Sequence, residues 1–155
     1  MHNTLLFLHS IFRWLVLLSL LYALYRALTG YINGKAFTRT DDSVRHWAAT
    51  IAHVQLTLGI ILYTQSPTAK ISAEVLSESG HIREPFFFGV IHLLLMISAV
   101  AVLTIGSAMA KRQTTDRQKF QTMLIWFGLA LLLIVIAIPW PFSPLAQRPY
   151  LRSIN

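Results

Sequence analysis

Residues 4–18 read TLLFLHSIFRWLVLL, and this stretch decides the fold. Apart from Thr4, His9, Ser10 and Arg13 every position is apolar, with no alternation and no Gly or Pro to interrupt a helix. The apolar character continues to about Leu28. At about 1.5 Å per residue such a helix exceeds the roughly 30 Å of a bilayer's hydrocarbon core. Lipid offers no hydrogen-bond partners, so a spanning segment must satisfy its backbone internally, as a helix does.

Three further apolar blocks follow, and the four helices are expected at about 4–28, 44–64, 85–110 and 118–138. Over 155 residues the chain is 55% hydrophobic and only 12% charged, with a mean hydropathy of +0.57. The apolar runs are too continuous for the alternating strands of a membrane barrel. The expectation is all-α: a single transmembrane four-helix domain over residues 1–155, wound up-down-up-down because the links are short.

The absence of cysteine excludes disulfides, thiolate metal sites, Cys-ligated iron–sulfur clusters and covalently attached haem. The net charge of +7 does not point to nucleic acid, because the basic residues flank the helices. Arg26, Lys35, Arg39, Arg45, Lys111, Arg112, Arg117 and Lys119 fall on the side of the 1–2 and 3–4 links. Lys70, Arg83, Arg148 and Arg152 fall opposite. Short loops rich in Lys and Arg stay cytoplasmic, so both termini are expected outside, in the periplasm of a bacterial inner membrane. Nothing basic precedes the first block and its charges follow it, which reads as a retained helix and not a cleaved leader.

The segment 29–43 reads as a polar turn, with Asp42 or Ser43 capping helix 2 and Arg45, His46 and Trp47 opening it at the interface. The outer loop 65–84 carries Ser66–Pro67 and Gly80 as start and stop of a short surface helix, a candidate lid. The tail 139–155 is Pro-rich, with Trp140 and Phe142 as interfacial anchors.

Ionisable residues within membrane helices are rare and mark function or helix pairing. Here they are His9, Arg13, His53 and His92. Counted from the outer helix ends, His9 lies roughly 6 Å deep, His92 roughly 9 Å and His53 roughly 15 Å. Three histidines on three helices thus share the outer half. His9 and Arg13 are i, i+4 and occupy one face, while His46, Thr50, His53 and Thr57 form a stripe on helix 2. Gln55 falls off that stripe, and Gly59 permits close approach of a neighbour or a bulky group. Helix 4 carries no ionisable residue from Phe120 to Pro139 and is assigned to packing.

Neutral imidazole ligates haem iron, zinc or copper. Zinc wants three or four ligands at one level, and no carboxylate joins these histidines. A non-covalent haem needs two axial ligands, and a four-helix bundle holds one between facing helices. His9 with His92 is the preferred pair, across the bundle diagonal, and His53 with His92 the alternative. Arg13 suits a propionate, and the remaining histidine a propionate or a quinone carbonyl. Against this stands the plainer reading, in which each histidine is an interhelical hydrogen-bonding group and Arg13 snorkels to the interface.

LHSIFRW in helix 1, HVQLTLGIILY in helix 2, the small-residue run from His92 to LTIG, and IPWPF after helix 4 together resemble a family of small bacterial four-helix membrane proteins, the cytochrome b-like proteins. A more distant similarity is to four-helix cytochromes b561. The resemblance implies one b-type haem and electron transfer with the quinone pool. The expected function is therefore a haem b membrane electron carrier, or a quinone-linked oxidoreductase, passing electrons between an outer partner and quinone. That partner would be a periplasmic or membrane redox protein. Two alternatives stand beside it. One is a non-catalytic subunit or quinone-binding module without haem. The other is a metal or proton-coupled transporter using the His46–His53 stripe, which would have to work as a homo-oligomer.

Overall fold

The computed structural model describes residues 2–65 and 90–140. They form four helices and no strand: α1 (His2–Ile32), α2 (Arg39–Gln65), α3 (His92–Arg112) and α4 (Asp116–Ala137). All four are long and apolar enough to cross a membrane. The surface helix expected in the outer loop, the expected start of helix 3 at 85, His81 and Phe142 lie outside the described residues.

Helices 1 and 2 are longer than their apolar blocks because specific residues set their ends. α1 runs on past Leu28 to Ile32, where Gly34 takes the left-handed conformation at φ 58°. The Lys35 N–H then donates to Gly30 O at 3.0 Å. That bond closes a Schellman motif, which needs a residue free to adopt positive φ. α2 begins at Arg39, and its cap is Thr38 where Asp42 or Ser43 was expected. Thr38 Oγ1 accepts from Asp41 N at 3.4 Å, and Asp41 Oδ2 accepts from Thr38 N at 2.9 Å. This reciprocal box starts the helix one turn earlier than hydropathy suggests. At α4 the box is Thr115 with Gln118. Lys111 and Arg112 close α3, where cations meet the negative end of the helix dipole.

Each helix packs against its neighbours in sequence, and α4 closes the ring on α1. Contacts pair the start of one helix with the end of the next, as in Arg26–Asp41 and Arg45–Ser107. The order is up-down-up-down.

The interior is built of small residues: Ala23, Ala27, Ala48, Ala49, Ala52, Ala99, Ala110 and Ala130 are buried. Phe120, Phe127, Leu20, Leu103 and Met123 fill the space between them. Leu and Ile side chains instead crowd the outer surface, as at Leu18, Leu94, Ile125 and Leu132. Small residues let membrane helices approach closely, while large apolar ones are no liability against lipid. Gly106 is an example: a Cβ there would overlap Trp126 Cβ of α4.

At the end carrying the α1–α2 link, charge enters the bundle. Asp41 is 3% exposed and Arg45 5%. Asp41 Oδ1 accepts from Arg26 Nη2 at 2.7 Å, and its Oδ2 accepts from the Thr38 hydroxyl at 2.6 Å. Arg45 donates to Asp42 at 2.8 Å and to Ser107 O at 3.0 Å, tying α2 to α3. Arg45 is therefore an interior clamp, where the sequence placed it at the interface. Charged groups this buried are stable only because every one is paired.

Candidate functional site: a basic cluster at one end of the bundle

The opposite end holds His9, Arg13, Gln55 and His92. All the described acidic residues, Asp41, Asp42 and Asp116, sit at or beyond the other end. His9, Arg13 and His92 interact electrostatically with one another, although they come from α1 and α3, which face each other across the ring. The bundle thus brings three basic side chains together in an apolar setting.

Each is held differently. His92 Nδ1 lies 2.8 Å from Ala137 O, one of the terminal carbonyls of α4. A carbonyl only accepts, so Nδ1 carries the proton and Nε2 the lone pair. The bond also serves α4, whose last carbonyls have no helical partner. The residue after it, Ile138, is the C-cap, and Pro139 prevents the helix from continuing.

The Arg13 guanidinium stands 5.6 Å from the Trp14 ring. Trp14 meets Trp140 edge to face at 6.3 Å. The Trp140 indole N–H donates to Val135 O at 2.9 Å, so this expected interfacial anchor is fastened to the last turn of α4.

His9 is docked on α2. Its ring lies over Gly59, where an added Cβ would come within 3.2 Å of Cε1 and 3.8 Å of Nδ1. The Gln55 side-chain amide nitrogen lies 3.0 Å from His9 O and 3.3 Å from His9 Nε2. His9 Nδ1 and Gln55 Oε1 are both buried, and neither has a hydrogen-bond partner among the described residues. Gly59 thus makes room for an imidazole. Gln55, set aside by its register off the histidine stripe, is the residue His9 meets. Its i, i+4 spacing to Gly59 was the available signal.

His53 does not join the cluster. It is exposed on α2, with Nδ1 on Ala49 O of its own helix at 2.7 Å and Nε2 3.2 Å from Thr104 Oγ1 of α3. Thr104 is twelve residues from His92, about 18 Å along α3. The alternative pairing of His53 with His92 on one iron is too widely spread. The stripe itself faces outward, with Thr50 Oγ1 on His46 O at 3.0 Å and Thr57 Oγ1 on His53 O at 2.9 Å. Internal bonds of this kind let hydroxyls face lipid at little cost.

Among the described residues no group of three or more His, Asp or Glu side chains is placed to hold a metal ion. Haem asks for less, and the fit differs between residues. His92 fits, because a backbone carbonyl fixes its tautomer as ligating histidines require. Arg13 fits as a cation for a propionate. His9 would serve as a second holder of the iron through Nε2 only without its present contact to the Gln55 amide. No protein-family model, curated protein or solved structure matches this chain.

Proposed function

We propose that the protein is a membrane electron-transfer protein that holds one b-type haem at the basic end of the bundle and exchanges electrons with quinone. The observation that carries this reading is His92: a partly buried imidazole at the start of α3, pinned through Nδ1 to Ala137 O and clustered with Arg13 and His9. His92 would hold the haem iron, and His9 is the other histidine of the cluster among the described residues. Arg13 would pair with a propionate. A bound haem supplies one-electron transfer. The protein's part is to fix the His92 tautomer, to exclude water with Trp14 and Trp140, and to supply cationic charge. Purified from haem-replete cells, the protein should show a Soret band and a sharpened alpha band on dithionite reduction. His92→Ala should abolish both, whereas His53→Ala should leave them in place. A colourless protein would sink the reading.

A second reading is favoured by His9 itself. With Nε2 against Gln55 and Nδ1 buried without an acceptor, this end also suits a haem-free module that binds quinone through an oxygen atom. It predicts no haem bands and saturable quinone binding.

By the positive-inside rule this end would face the periplasm, in a bacterial inner membrane.

A further inference from the structure

The ion pairs at the α1–α2 end leave a rim of uncompensated cations around them. Asp41 is taken up by Arg26 and Asp42 by Arg45. Asp116, the remaining acid at this end, stands 3.9 Å from Lys119. Lys35, Arg39, Lys111, Arg112 and Arg117 are exposed and make no ion pair among the described residues. Arg117 is set apart from the others by what it rests on. Its guanidinium stands 5.0 Å from the Tyr31 ring, at the end of α1. A ring face beneath a guanidinium restrains it and leaves its N–H fork open to a phosphate. Arg117 also heads a row of outward-facing residues. Arg117, Gln121, Ile125 and Leu129 follow one another at four-residue steps on α4, and all are exposed. On α1 the exposed row is Leu21, Tyr25, Leu28 and Ile32. The two helices are neighbours in the ring, and Tyr31, beside Ile32, is where Arg117 joins them.

We propose that the α1–α4 face at this end docks an anionic phospholipid, with Arg117 on its phosphate and the acyl chains along the two apolar rows. Charge complementarity commits the face to that occupant. A zwitterionic headgroup brings its own ammonium into a surface of cations, whereas an anionic headgroup meets only attraction there. Lys119, over the Phe37 ring at 5.3 Å, adds to the same field from the first turn of α4. The lipid is a permanent neighbour of a spanning bundle, so it needs no recruitment. Tyr31 is a positioning residue: it holds the guanidinium and touches the lipid through it. The inference is independent of what the opposite end of the bundle holds.

The test uses the full chain in detergent. Phosphatidylglycerol and phosphatidylcholine with identical acyl chains are titrated, and the bound lipid is counted by native mass spectrometry. Phosphatidylglycerol should bind about five- to tenfold tighter, as expected for one to two well-placed cations at a membrane surface. Arg117→Gln should erase most of that preference. Tyr31→Leu should lower it with the charge unchanged, and Arg117→Lys should keep only part of it. Lys111→Gln removes the same charge from the α3 end and should leave the preference within about twofold. Glycerol 1-phosphate, which carries the phosphate without the chains, should not compete at equal concentration. Equal binding of the two lipids would overturn the proposal, and so would equal losses from Arg117→Gln and Lys111→Gln, which would mean a diffuse field only. Effective competition by glycerol 1-phosphate would overturn the acyl part and with it the docking face. Binding of neither lipid would leave the rim to a soluble acidic partner and overturn the proposal.

Discussion

Glycines 59 and 106 divide two kinds of close approach. At Gly59 an added methyl meets the edge of an imidazole at 3.2 Å, and a ring can yield a few tenths of an ångström. At Gly106 it overlaps Trp126 Cβ, which is fixed to the backbone of α4. Gly106→Ala should therefore lower stability by about 2 kcal/mol through overpacking. Gly59→Ala should change it by less than about 0.5 kcal/mol, because the helix-propensity gain offsets the tight contact. Thermal melts of both variants in the same detergent check this, and equal losses would contradict it. The sequence marked Gly59 as a place of close approach but not what approached it. Nothing in HVQLTLGIILY says that helix 1 delivers a histidine to that glycine, since a partner on another element leaves no local trace.

At the scale of the element, apolar runs located all four helices, and the termini were less legible. A hydropathy boundary marks where lipid ends, whereas the helix ends where its last backbone groups find partners. Thr38 and Asp41 extend α2 into the polar region, and Gly34 does the same service for α1. The Thr-x-x-Asp spacing was there to be read as a capping box, but the more apolar start near Val44 competed with it. Thr38→Ala removes the hydroxyl that accepts from Asp41 N and donates to Asp41 Oδ2, so it should cost about 1–2 kcal/mol. Thr38→Ser should recover most of that. A melting temperature unmoved by Thr38→Ala would mean that the Arg26–Asp41 pair alone holds the helix start.

For the whole molecule, the two ends of the bundle are chemically opposed. One is rich in paired charge, with Asp41 and Arg45 buried and Lys119 and Arg117 over the rings of Phe37 and Tyr31. The other has three basic groups and, among the described residues, no acid. The asymmetry in Lys and Arg predicts that the first end faces the cytoplasm. The chain has no cysteine, so single-cysteine variants report without background. In intact cells an impermeant maleimide should label Thr64→Cys and leave Lys35→Cys unlabelled until the membrane is broken. The reverse pattern would invert the orientation.

The amino-acid sequence by itself determined that the chain is four apolar helices with short links, because burial in lipid is dictated by composition and length alone. It also determined that His9, Arg13 and His92 are anomalous, because ionisable groups in such helices are conspicuous. Only the tertiary structure decided which of them meet. Helix rotation is set by the fit of Ala, Gly and large side chains across four interfaces, and that fit turned His53 outward and His9 onto Gln55. It also supplied a partner no side-chain pattern can carry, the Ala137 carbonyl that fixes the tautomer of His92.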